Sequence, residues 1–363
     1  MRVLITASTF SHIVSFHLPY VRRFKELGWE VHIACGGALR DIPGADRIIQ
    51  LPLEKKLAAP GNLRASAILR RLMRENAYDL VLTHTSLAAF FTRFAELGLR
   101  RHPPTVNVVH GYLFDGSTPP LKAALLKAAE YITAPVTDLL LTMNRYDYDW
   151  AVSHHAGKPV RMIPGMGVPG ISAAISRPEH DGFVLIYPAE FSERKNQAML
   201  IRAMPLLPDF VKLVLPGCGA LLESCRELSE TLSVNNRVYF PGHVDNVRQL
   251  LCSADAAVTA SRSEGLPFNV MEAMQCALPV IASDVKGNAD LVQDGVTGLL
   301  FPFNDEASFV QCVKRLIEDR RTAVRMGQNG RAAVGKYELD NVLGTVMAEY
   351  LSLSVADGYG DTQ

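Results

Sequence analysis

Short apolar runs alternating with helix-patterned stretches, twice over, constrain this chain more than any other feature. "VLITA", "VHIAC", "DLVLTH", "TVNVVH" and "DLLLTM" follow one another with amphipathic segments between them, the first over residues 16–28. Strand-length apolar runs separated by helical patterns build βαβ units around a parallel sheet. After "VRMIPGMGVPG" comes a polar, turn-prone stretch, and the alternation restarts with "FVLIYPA", "VKLVLPG", "VYFPG", "AAVTAS", "PVIAS" and "TGLLF". The expectation is an α/β chain of two doubly wound domains, over residues 1–170 and 183–335, joined by a linker at 171–182. An amphipathic helix over about 336–353 is expected to pack back on the first domain. In such a tandem, the carboxyl ends of both sets of strands face a shared ligand across a cleft.

With 363 residues, 48% of them hydrophobic and 20% charged, the chain suits two ordinary soluble cores and excludes a disordered protein. Its six cysteines are scattered without a CxxC pair, which reads as reduced, buried thiols and not as a zinc or disulfide framework. "VLITA" begins directly after Met1-Arg2, with no leader pattern before it. The most apolar long stretch, 123–143, is broken by Lys127, Glu130 and Asp138 and cannot span a bilayer. A cytoplasmic protein is expected, with a peripheral place on the inner face of the membrane.

Net charge is zero, yet residues 1–176 hold 20 Lys+Arg against 13 Asp+Glu, net +7, leaving 17 against 24, net −7, for the rest. A basic half suits an anionic surface or substrate. Arg22, Arg23, Lys25, Lys55, Lys56, Arg64, Arg70, Arg71 and Arg74 are candidates for anionic lipid, or else form a solvated face.

The first strand is not followed by GxGxxG, which weighs against a dinucleotide dehydrogenase. "PGCGALLES" places Gly217 and Gly219 between a strand and a helix, where they serve a ligand or only a tight turn. "SRSEGLPFNVMEAM" is more specific. Pro267 fits the first helical turn, so Glu264 stays in the loop past a strand end and Glu272 lies inside the helix. The backbone of Gly265, Leu266, Pro267 and Phe268 then leads into a helix N-terminus, which attracts phosphate. A carboxylate matches the spacing of a vicinal diol, so two of them can grip both ends of a nucleotide sugar.

The pattern Glu-Gly-Leu-Pro-x-x-x-x-Glu-Ala-Met, followed by "PVIASDVKGNADLVQDGVTGLLF", resembles the signature of the retaining GT-B glycosyltransferases of sequence family 4. "FHLPYVRRFKELGWEVHIA", "VVHGYLF", "TMNRYDYDWA", "IPGMGV" and "FSERKNQ" resemble elements of its bacterial exopolysaccharide and capsule branch. The resemblance implies a UDP-sugar donor held mainly by the second domain, retention of configuration, and no obligatory metal or other cofactor. It gives Glu272 the ribose hydroxyls, Glu264 the transferred hexose, Lys195 the leaving diphosphate, and His110 a hydrogen bond to the transferred sugar. The usual arginine upstream of the lysine is replaced by Glu190, and Arg194 is the candidate substitute. His12 and His17 fall in the loop and helix start where the family places acceptor and donor contacts, and His12 is taken as the acceptor-side residue. Asn144, Asp147 and Glu130 also match family positions but suit capping and packing.

The implied reaction moves a hexosyl group to a hydroxyl of a saccharide linked to undecaprenyl diphosphate. No nucleic acid is implied. Both glutamates already hold ligand, so front-face attack is favoured, with the departing diphosphate taking the acceptor's proton. A UDP-sugar epimerase of the same architecture and a non-catalytic sugar-nucleotide-binding subunit are the alternatives. The Glu-x7-Glu pattern argues against the first, and the joint presence of Glu264, Glu272, Lys195 and His110 against the second.

Overall fold

The computed structural model describes residues 1–38, 40–54, 56–154, 158–171 and 181–353. Most of the expected linker, 172–180, and Lys55 lie outside the described residues. The chain forms two compact units, one of Met1–Gly167 with the chain from Leu339 onward, the other of Val168–Glu338.

The first unit holds seven strands: β1 Arg2–Ala7, β2 Glu30–Cys35, β3 Arg47–Gln50, β4 Leu80–His84, β5 Thr105–Val109, β6 Leu139–Thr142 and β7 Val160–Met162. Their order is β3-β2-β1-β4-β5-β6-β7, and every pairing is parallel. The order reverses between β1 and β4, and it is beyond the carboxyl ends of strands at such a reversal that open α/β sheets bind ligands. The apolar runs of the sequence are the buried strands, because a sheet covered by helices on both faces has no polar side.

The helical pattern over 16–28 resolves differently from its expectation. Two helices, Phe10–Phe16 and Leu18–Glu26, meet at His17. Thr9 starts the first by accepting the His12 N–H at 3.3 Å, and Pro19 near the start of the second cannot donate back into the first. His12 therefore lies within a helix and not in a loop.

Leu339–Leu351, the last helix described, belongs to this first unit. Tyr350 is fully buried there, its ring 5.9 Å from Tyr20 and 6.4 Å from Phe24. Buried Arg93 holds Glu130 at 2.9 Å, and Asp147 accepts from the Tyr112 N–H at 3.0 Å and the Asn144 amide at 2.8 Å. These three family positions thus pack and cap.

The second unit holds β8 Phe183–Ile186, β9 Val211–Pro216, β10 Val238–Gly242, β11 Ala256–Thr259, β12 Val280–Ser283 and β13 Gly298–Phe301. The order β10-β9-β8-β11-β12-β13 is again parallel throughout and reverses between β8 and β11. Phe183, Leu185, Leu213, Val258, Ile281 and Phe301 carry its core to the covering helices.

Cys35, Cys225 and Cys276 are buried as expected, but Cys218 is exposed, because it caps a tight turn between two glycines. No helix long and apolar enough to cross a membrane occurs among the described residues.

Candidate active site

The loop after β11 and the turn after β8 meet at the reversal point of the second sheet. Tyr187, fully buried just past β8, bonds the Ser261 hydroxyl at 2.7 Å and reaches the Lys195 carbonyl at 3.2 Å. Ser283 donates to the Ser261 carbonyl at 2.6 Å, and the Arg262 N–H donates to the Arg194 carbonyl at 2.8 Å. These bonds hold the two loops in register.

Their side chains converge on one carboxylate. Lys195 Nζ donates to Glu264 Oε1 at 2.6 Å and Arg194 to Oε2 at 2.8 Å. Burial alone would raise the Glu264 pKa, but the two cations outweigh it and hold it below the usual value. The cluster keeps one positive charge in excess, suited to an anion. Sequence neighbours can share this target because residues 192–195 form a turn, closed by Lys195 N–H to Ser192 carbonyl at 3.0 Å and ended by Asn196 at φ +54°.

Pro267 is the N-cap of the helix Phe268–Gln275, one position earlier than the sequence suggests, with Glu264 in the loop and Glu272 in the helix. Leu266 and Pro267 pack inward, so the backbone of the turn is the part that can meet a ligand. Gly287, at φ +81°, lies so close that a Cβ there would fall 2.8 Å from the Gly265 carbonyl oxygen. Sequence reasoning overlooked this support, although "KGN" marks a turn.

Glu272 is half-buried, and its carboxylate makes no hydrogen bond among the described residues. Burial raises its pKa, partly offset by Arg248. Gly217 and Gly219 have a packing reason for being glycine, at φ +145° and +153°. A Cβ would lie 2.0 Å from the Ala189 carbonyl oxygen at Gly217 and 2.4 Å from that of Phe191 at Gly219. Backbone crossing is reason enough for glycine at both positions, whether or not they also meet a ligand.

At the reversal point of the first sheet, four histidines gather. His12 lies in the first helix, His17 follows it, His84 ends β4 and His110 follows β5. His84 Nδ1 and His110 Nε2 are 3.0 Å apart, and the His17 and His84 ring centroids 3.9 Å. Burial pushes the His12 imidazole down to about 4 and drives His17, His84 and His110 well below the usual histidine range, so all four are neutral at pH 7. Of these, the sequence reading passed over His84, although "LTH" ends its strand as "VVH" ends at His110. The backbone between them is strained: Thr85, next to His84, sits at φ +63° and bonds Ser8 at 2.6 Å.

Two doubly wound units, each with polar groups at its sheet reversal, have the fold of the GT-B glycosyltransferases. Family models match both: "Glycosyltransferase Family 4" over residues 20–166 and "Glycosyl transferases group 1" over 172–333. A Bacillus subtilis (strain 168) protein named as a glycosyltransferase, EpsD, is 32% identical over 347 residues, covering 91% of each chain. An Escherichia coli UDP-Gal:alpha-D-GlcNAc-diphosphoundecaprenol alpha-1,3-galactosyltransferase is 25% identical over 278 residues, 71% of each chain. Anabaena Alr3699/HepE, solved with UDP and glucose, superposes with a TM-score of 0.77 at 18% identity, over 97% of this chain and 99% of that one. The chain belongs to the GT-B glycosyltransferases of the family 4 kind, and its activity is glycosyl transfer.

Proposed function

We propose that the protein is a retaining hexosyltransferase that takes its sugar from a UDP-sugar and places it on a lipid-linked saccharide during bacterial exopolysaccharide synthesis. The observation that carries this reading is the cation pair on Glu264, with the uncommitted carboxylate of Glu272 on the helix that follows the same loop. Lys195 and Arg194 balance charge on the departing diphosphate, Glu264 orients them and meets the hexose, and Glu272 holds the ribose diol. His110, neutral, is assigned a hydrogen bond to the transferred sugar. The diphosphate accepts the acceptor's proton, so no metal is required. The E. coli relative, a galactosyltransferase named for UDP-Gal and a diphosphoundecaprenol acceptor, supports this donor and acceptor. The complexes of HepE with UDP and with UDP-glucose support the nucleotide.

A screen of UDP release over a panel of UDP-sugars, with and without chelator, tests this. Slow release from a small subset, unchanged by chelator, is expected. Isomerisation of the donor without UDP release, or no release from any donor, would sink the reading.

A lipid-linked acceptor calls for work at an anionic membrane surface, and the contact surface we assign differs from the basic cluster read in the sequence. Arg23 pairs with Glu26, Lys25 with Asp46 and Arg71 with Glu75, so three of those nine cations are neutralised locally. By contrast, the helix Pro120–Thr133 buries only Thr133 and exposes Leu121 (86%), Leu125 (59%) and Ile132 (52%). Its acid, Glu130, is tied to Arg93, and Lys127 lies over the Phe114 ring at 5.6 Å, which leaves the exposed Lys122 to face lipid headgroups. Flotation with anionic vesicles should carry the wild type, and Leu121→Glu with Leu125→Glu should stay behind. Equal flotation of the two would remove this surface from consideration.

A further inference from the structure

The histidine cluster holds more imidazole than one sugar contact needs. Nitrogens of His12, His17 and His110 lie within 4.8 Å of one another. The Nε2 atoms of His12 and His17 are buried without a hydrogen-bond partner among the described residues, and His17 is only 1% exposed. Two buried, unpartnered nitrogens on rings whose centroids lie 5.0 Å apart point to a ligand that accepts lone pairs.

Donor type narrows the class. The group contains imidazole alone, with neither carboxylate nor thiol. Hard cations such as Mg²⁺ and Ca²⁺ want oxygen, whereas imidazole suits zinc, cobalt, nickel and copper. We propose that His12, His17 and His110 form a three-histidine site for a late first-row divalent cation, with a fourth position open to water or a substrate oxygen.

Spacing asks for a modest closure. Zinc at about 2.0–2.1 Å from each nitrogen sets them roughly 3.4 Å apart in a tetrahedron. His12, the partly exposed ring on the helix Phe10–Phe16, packed 4.7 Å from His110 and 5.0 Å from His17, is the one that would have to close in. His17 is held by its contact with His84, and His84 bonds His110, so two of the three ligands are already oriented by a neighbour.

The site does not contradict a metal-free transfer. Because His110 also contacts the sugar in the proposed reaction, a bound ion withholds it and acts as a reversible inhibitor. That consequence alone rests on the proposed function, and the binding measurement does not.

The test titrates metal-stripped protein with Co²⁺ and follows visible d–d absorption, with Zn²⁺ as competitor. A saturable band from one Co²⁺ per chain, bleached by Zn²⁺, is expected. His12→Gln and His17→Gln should each weaken it by about tenfold or more, as loss of a direct ligand must cost at least what loss of a supporting group does. His243→Gln, an exposed histidine elsewhere in the chain, should bind as wild type. Absence of a saturable band, or a band unchanged in natively folded His12→Gln, overturns the proposal, and this half-buried position serves if His17→Gln does not fold. Zn²⁺ that binds without slowing UDP release would support the site and count against the sugar contact of His110.

Discussion

Lys195→Ala is expected to lower the rate of UDP release from the cognate donor by about 10²–10³, the usual scale for removing one group that stabilises developing charge. The lysine is 12% exposed and its Nζ sits 2.6 Å from a carboxylate that is itself 6% exposed. Its ammonium is therefore fixed before the donor arrives, and nothing has to reorganise as the diphosphate departs. Arg194, 51% exposed, shares the carboxylate but is solvated and cannot take over. Lys195→Arg should recover little, because a planar fork does not replace a point charge in that turn. Lys195→Ala also leaves Glu264 with Arg194 as its one cation, so the unfolding free energy should fall, by less than the roughly 3 kcal/mol of a buried charge left wholly unpaired. Steady-state kinetics and thermal unfolding check both. A rate within about threefold of wild type, below 1 kcal/mol in barrier terms, would remove Lys195 from the mechanism.

Glu272→Ala and Glu264→Ala should part company. The Glu272 carboxylate is half-buried and uncommitted, so its loss removes charge-assisted hydrogen bonds from a ligand and little from the fold. UDP affinity should drop by about 10–100-fold, the equivalent of 1.5–3 kcal/mol, while turnover at saturation changes little. Glu264→Ala frees Lys195 and Arg194 from their counter-charge. UDP should then bind as tightly as in wild type or more so, while turnover falls because the cations lose their fixed positions. Calorimetry with UDP, set beside saturating kinetics, separates the two. Equal losses of UDP affinity would undo the division of labour between them.

The difference between those glutamates was half legible in the sequence. Spacing and Pro267 placed one in the loop and one in the helix, since local backbone rules decide that much. The pairing of Glu264 with Lys195 and Arg194 was not, because it joins residues 69 and 70 positions apart through a turn whose closure depends on tertiary contacts. The strands follow the same logic. Fully buried runs such as Leu80–His84 announce themselves, whereas β3, with both ends exposed, carries an Arg-Ile-Ile-Gln pattern no different from a loop. Gly217 and Gly219 show a feature the sequence does not display, a backbone crossing that by itself requires glycine at both positions. His84 shows what could have been found, since two strands ending in histidine on neighbouring positions of one sheet bring their rings together.

Gly167, at φ +82°, passes so close to Leu339 that a Cβ there would fall 2.7 Å from its Cα, and the chain re-enters its first unit beside the point where it left. On the ribosome this sets an order of completion. The unit of Val168–Glu338 is one uninterrupted stretch and can close its core while its predecessor still lacks Tyr350. The part of the protein that emerges first is thus the last to be finished, and its aromatic cluster around Tyr20 and Phe24 waits on the final helix for cover.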